Sequence, residues 1–155
     1  MGLRWIGRYG AGLLVGCLAA ASLQLVRPAM KDPPHEALLQ GAVAPPQVVR
    51  VFERACQDCH SANTHWPWYA KVTPVSFLVT KDVNRGRLFL NLSGWQHYSR
   101  GQQLGYLSSM SEATRNQRMP PRMYTVMHSH ARLSAEERQL IASWATEERK
   151  RLRAR

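Results

Sequence analysis

An all-α fold is what this sequence predicts, on three observations. Apolar residues recur at helical spacing through most of the chain after Val48, and no stretch alternates in the period-two manner of a strand. Ser134, with Glu137 three residues on, writes a capping box ahead of the last apolar stripe. At 155 residues the chain suits one core of ordinary size, since single domains usually take about 100–200 residues.

The elements are read in order as residues 1–27, an N-terminal anchor or signal segment; residues 28–47, a proline-rich linker; and residues 48–155, a compact domain with a basic C-terminal tail. Tyr9 to Val26 carries no charge, and as a helix it would reach about 27 Å, close to the hydrocarbon thickness of a bilayer. Arg4 and Arg8 precede it, and a short basic N-terminus normally stays cytoplasmic. The expectation is a single N-terminal transmembrane helix with the domain facing the periplasm. Two alternatives stay open: a cleaved signal peptide, permitted by the small residues from Ala19 to Ser22, and a lipoprotein signal in which Leu-Val-Gly ends at Cys17. All three export the domain. From Arg27 to Gln47 there are five prolines in 21 residues, so this segment reads as a tether with little helix.

Val48, Val49, Phe52 and Cys56 share one face of a short helix that ends at the cysteines. A second helix follows Pro74 and is interrupted or ended around Gly86. A third covers Arg100 to Arg115. The last begins after Ser134 and buries Leu140, Ile141 and Trp144, and Glu148 to Arg155 trails into solvent.

Charge narrows the partners. Against 10 Asp+Glu stand 21 Lys+Arg, a formal net charge of +11, which favours an acidic or anionic partner. No RNP, zinc-finger or helix-turn-helix pattern accompanies it, so nucleic acid is not expected as a ligand. Arg149, Lys150, Arg151, Arg153 and Arg155 are candidates to steer an acidic protein or anionic lipid. No feature specifies an oligomeric state.

The chemistry lies in Cys56-Gln57-Asp58-Cys59-His60. A structural zinc site takes four Cys/His ligands, commonly as two pairs, and there is no second cysteine pair. A thioredoxin-like dithiol expects a βαβ context, which the helical pattern denies it. Cys-x-x-Cys-His is the attachment pattern of c-type haem. Each thiol forms a thioether with one vinyl group of the porphyrin, and the next imidazole, His60, is thereby held beneath the iron. Export agrees with this chemistry, which is carried out on the outer side of the bacterial membrane.

The opposite face of the iron needs a sixth ligand. Met119 leads, because a soft thioether stabilises ferrous iron and the prolines after it hold a loop extended. Met123 and Met127 are the alternatives; otherwise they are flexible packing against the ring. A distal histidine or an open position would complete the options. His65, His97, His128 and His130 read as surface histidines. Trp66, Trp68 and Tyr69 are expected to wall the pocket from water, and Pro67 or Pro74 to supply a carbonyl for the proximal imidazole.

Together "CQDCHSANTHWPWY", "PVSF", "DVNRGRLFLNLSGW", "MPPRMYTVMH" and "ARLSAEERQLIASWA" resemble the haem-binding domain family related to cytochrome c. The resemblance runs from about Val48 to Ala145. It implies a cytochrome c-like helical haem domain with one covalent haem on Cys56 and Cys59, His60 as iron ligand, and Met119 in the distal position. The functional expectation is a membrane-anchored monohaem cytochrome, an electron carrier and not an enzyme, serving redox protein partners. Its rivals are a haem sensor or peroxidase-like enzyme with an open sixth position, and a haem relay within a larger membrane complex.

Overall fold

The computed structural model describes residues 3–154. Among them are seven α-helices and no strand: α1 (Leu3–Leu23), α2 (Pro46–Ala55), α3 (Gln57–His60), α4 (Val75–Phe89), α5 (Arg100–Arg115), α6 (Arg122–Met127) and α7 (Ala135–Arg153). Short 3-10 turns occupy Trp68–Lys71, Leu92–His97 and Ser129–Ala131. The chain divides into two compact units. One comprises residues up to Lys31 together with Trp66–Asp82; the other comprises Asp32–His65 and the chain from Val83 onwards.

In the first unit α1 ends at Leu23 and the chain turns away through Gln24. The Gln24 side chain explains the turn. Its amide donates to the Thr73 carbonyl at 3.0 Å and accepts from the Thr73 N–H at 2.9 Å, while the Thr73 hydroxyl donates to the Val26 carbonyl at 2.9 Å. The apolar run expected to be helical through Val26 therefore leaves the helix early. Its uncharged part after Arg8 is about 22 Å long, against a hydrocarbon core of about 30 Å. Among the described residues no helix is long and apolar enough to cross a membrane. This corrects the expected transmembrane helix.

The second unit holds the main core. α2 starts on Pro46, whose missing N–H costs nothing in a first turn, and buries Val48, Val51, Phe52 and Ala55. Val51 and Ala55, not Val49, complete the buried face. Phe52 meets Trp144 of α7 edge-on at 5.7 Å. α5 has the range its pattern predicts and opens on a Ser99–Gln102 capping box; α7 opens on the predicted Ser134–Glu137 box. The two run antiparallel, and the guanidinium of Arg100 donates to the Arg153 carbonyl at 3.0 Å.

Three local expectations change here. α4 passes through Gly86 without a break and ends at Phe89. α7 continues to Arg153, and Leu152, 6 % exposed, joins the core, so the basic tail is largely helix and not a frayed end. Within it, Lys150 pairs with Glu147 and Arg151 with the buried Glu148; Arg155 lies outside the described residues. The proline-rich segment is non-helical as far as Pro45, its last two residues opening α2, yet Leu39 is buried in the core with its N–H donated to the Leu92 carbonyl at 2.9 Å. The Val43 carbonyl accepts from the Trp144 indole at 3.0 Å. Positive φ at Leu39 (57°) and Gly41 (88°) makes the tight turn that inserts that leucine.

Candidate functional site

α2 ends at Ala55 because Cys56 departs from helical dihedrals, and the chain restarts at once as the single turn α3. The Cys56 carbonyl accepts from the N–H of both Cys59 (3.3 Å) and His60 (3.0 Å). Cys56, Cys59 and His60 are thus gathered on one turn, as their spacing predicts. All three are partly buried. Burial pushes the Cys56 thiol up to about 12, the neighbouring Cys59 adds to the rise, and Arg54 opposes it.

His60 is oriented by α4. Its Nδ1 lies 3.0 Å from the Leu90 carbonyl, an acceptor that makes Nδ1 the protonated nitrogen and leaves Nε2 with the lone pair for a metal. Burial holds the imidazole below its usual range, with the Leu90 and Gly86 carbonyls opposing. It is therefore neutral at pH 7, the form that ligates iron. Leu90, not Pro67 or Pro74, is the orienting carbonyl.

Gly86 lets that carbonyl come so close. A Cβ at this position would stand 2.3 Å from the Cys59 carbonyl oxygen, a distance no side chain tolerates, and 3.0 Å from its carbon. The backbone of α4 lies directly on the attachment turn. Arg87, next in line, donates to the Ser61 carbonyl at 2.8 Å and the Thr64 hydroxyl at 2.7 Å, and pairs with Asp32. Ser93 accepts the Ala62 N–H at 3.0 Å. The segment just after His60 is pinned from Ser61 to Thr64.

Asp58, between the cysteines, accepts the His65 N–H at 3.0 Å and the Tyr124 hydroxyl of α6 at 2.7 Å. Sequence reasoning passed over Gly86, Leu90, Arg87, Asp58 and Tyr124. A glycine inside an otherwise helical stretch is the one signal that pointed to any of them.

Met119 lies in the turn before α6, where its N–H and that of Arg118 both bond the Ala113 carbonyl. Met119 is 40 % exposed, Met123 81 % and Met127 62 %. Just before Leu90 in the chain, Leu88 and Phe89 are also exposed. Two elements that contact the Cys-x-x-Cys-His turn thus present apolar side chains to solvent, an arrangement that suits a flat apolar ring. Trp66, Trp68 and Tyr69 belong to the first unit, not to the unit of the cysteines. Trp68 meets Tyr69 edge-on at 5.8 Å and is largely exposed. Among the expected surface histidines, His65 lies 3.4 Å from Asp58, and His128 stacks on Tyr124 at 4.3 Å.

An imidazole oriented by a backbone carbonyl follows directly on two neighbouring thiols, within an all-α framework. A family model described as a haem-binding domain matches residues 18–147, and the chain belongs to that family. No curated protein and no solved structure matches the chain.

Proposed function

We propose that this protein is a monohaem c-type cytochrome that carries one electron at a time between redox proteins outside the cytoplasmic membrane. The observation that carries the reading is the His60 ring: neutral, tied through Nδ1 to Leu90, and placed immediately after Cys56 and Cys59. Cys56 and Cys59 would hold the haem by thioether bonds, His60 would ligate one face, and Met119 the other, with Met123 and Met127 as alternatives. When bound, the haem supplies a reversible one-electron iron couple. The chain's own residues do the rest. Leu90 and Gly86 fix the imidazole, Arg87 and Ser93 pin the loop after it, and the exposed Leu88 and Phe89 of α4 and Met123, Val126 and Met127 of α6 would exclude water from the ring. Arg4, Arg8 and the apolar run after them support export to the periplasm. The basic residues of α7 suit an acidic partner.

The test has two arms. Acidified organic solvent applied to the denatured protein leaves the pigment on the polypeptide, and the intact mass exceeds the apoprotein by one haem; pigment that washes away refutes covalent attachment. Met119→Ala abolishes the methionine–iron charge-transfer band; a band that survives refutes Met119 as ligand. A second reading, a sensor or peroxidase-like protein with an exchangeable sixth position, draws on the exposure of all three methionines. Ready carbon monoxide binding by the reduced wild-type protein would favour it.

A further inference from the structure

We infer that the hydrogen bond from the Tyr124 hydroxyl to Asp58 is the clasp that docks the methionine-bearing segment against the attachment turn, which makes Tyr124 a positioning residue for the sixth ligand. The inference rests on the reading of this chain as a six-coordinate cytochrome. α6 carries Met123 and Met127 and follows Met119 after two prolines, yet it buries none of its six residues. Apolar packing therefore contributes little to its placement. Its upstream end is tethered at Ala113, whose carbonyl takes the Arg118 and Met119 N–H groups at 2.9 and 3.1 Å. Nothing in that tether points the segment towards Cys56, Cys59 or His60.

The clasp does. Tyr124 reaches Asp58 Oδ2 at 2.7 Å, across 66 residues of sequence, and Asp58 sits within the Cys-x-x-Cys turn itself. The Asp58 side chain is only 18 % exposed, so the bond is sheltered from competing water. Its other oxygen is engaged by the His65 N–H, which fixes the carboxyl plane. On the α6 side, His128 stacks on the Tyr124 ring with planes 20° apart and its Nδ1 lies 3.1 Å from the Tyr124 carbonyl, stiffening the donor. A short bond between two braced partners thus joins α3 directly to α6, beside the Arg54 bonds to the His130 and Arg132 carbonyls that hold the chain after α6 to α2. If His60 holds an iron, a distal sulfur from this segment would be presented from the α6 side of that bond.

The experiment uses the full-length, haem-loaded protein, with carbon monoxide titrated onto the ferrous form. Tyr124→Phe deletes the hydroxyl alone and is expected to raise apparent carbon monoxide affinity about tenfold, since a hydrogen bond to a carboxylate is lost from the closed state. The ferric methionine band weakens in parallel. Asp58→Asn keeps an oxygen to accept the same bond and falls between Tyr124→Phe and wild type. Thr125→Ala, on the same helix, removes only a hydroxyl bonded to Arg122 within it and stays within about twofold of wild type. A Tyr124→Phe affinity within twofold of wild type, beside a Met119→Ala variant that opens the iron, refutes the clasp and leaves methionine ligation standing. If Met119→Ala leaves the iron closed, the Met119 assignment fails, and the clasp stands or falls on the Tyr124→Phe shift alone.

Discussion

Replacement of Gly86 by alanine tests the packing on which the site depends. The added Cβ would lie 2.3 Å from the Cys59 carbonyl oxygen and 3.1 Å from the Cys59 Cβ. Ordinary contact begins near 3.4 Å, so α4 and the attachment turn must separate by about 1 Å. The obstacle is backbone, which cannot rotate aside. Overpacking of this kind costs about 3 kcal/mol, and alanine's better helix propensity returns about 1 kcal/mol. The same retreat stretches the 3.0 Å bond between His60 and Leu90 beyond hydrogen-bonding range, a further loss of about 1 kcal/mol. The net is about 3 kcal/mol, or roughly a 6–12 °C fall in melting temperature for a chain of this size. Thermal denaturation of the haem-loaded protein measures the fall, and the yield of attached haem reports on the turn. A Gly86→Ala protein that melts at or above wild type, with full haem content, would mean that helix propensity outweighs contact and that α4 does not rest on Cys59 as described.

Three further outcomes follow from the same structure. Serine at both Cys56 and Cys59 should release all pigment into acidified solvent while α5 and α7 keep their helical signal in circular dichroism. Ser134→Ala removes the hydroxyl that takes the Glu137 N–H at 3.1 Å and should cost about 1 kcal/mol, read as a midpoint shift in urea. Glu148→Ala should cost about 3 kcal/mol in the same assay, because Glu148 is 2 % exposed and accepts from both Arg151 (2.6 Å) and the Val43 N–H (3.3 Å). A cost below about 1 kcal/mol would show that the pair is solvated.

What the sequence by itself determined is local. The helical class, the range of α5, the cap of α7 and the pairing of two thiols with an imidazole are all written within a few neighbouring residues, where spacing and side-chain chemistry act directly. What the tertiary structure alone decided depends on partners far along the chain. Gly86 reads locally as a helix breaker, because a missing Cβ adds backbone freedom; it proves to be a contact, because Cys59 lies against it. The Leu90 carbonyl faces His60 across 30 residues, and Tyr124 faces Asp58 across 66, distances at which no periodicity speaks. The proline-rich segment and the basic tail read as solvated, yet Leu39 and Leu152 are drawn into the core they help to close. Burial is a property of what the rest of the chain places alongside, and that is set only once the chain has folded.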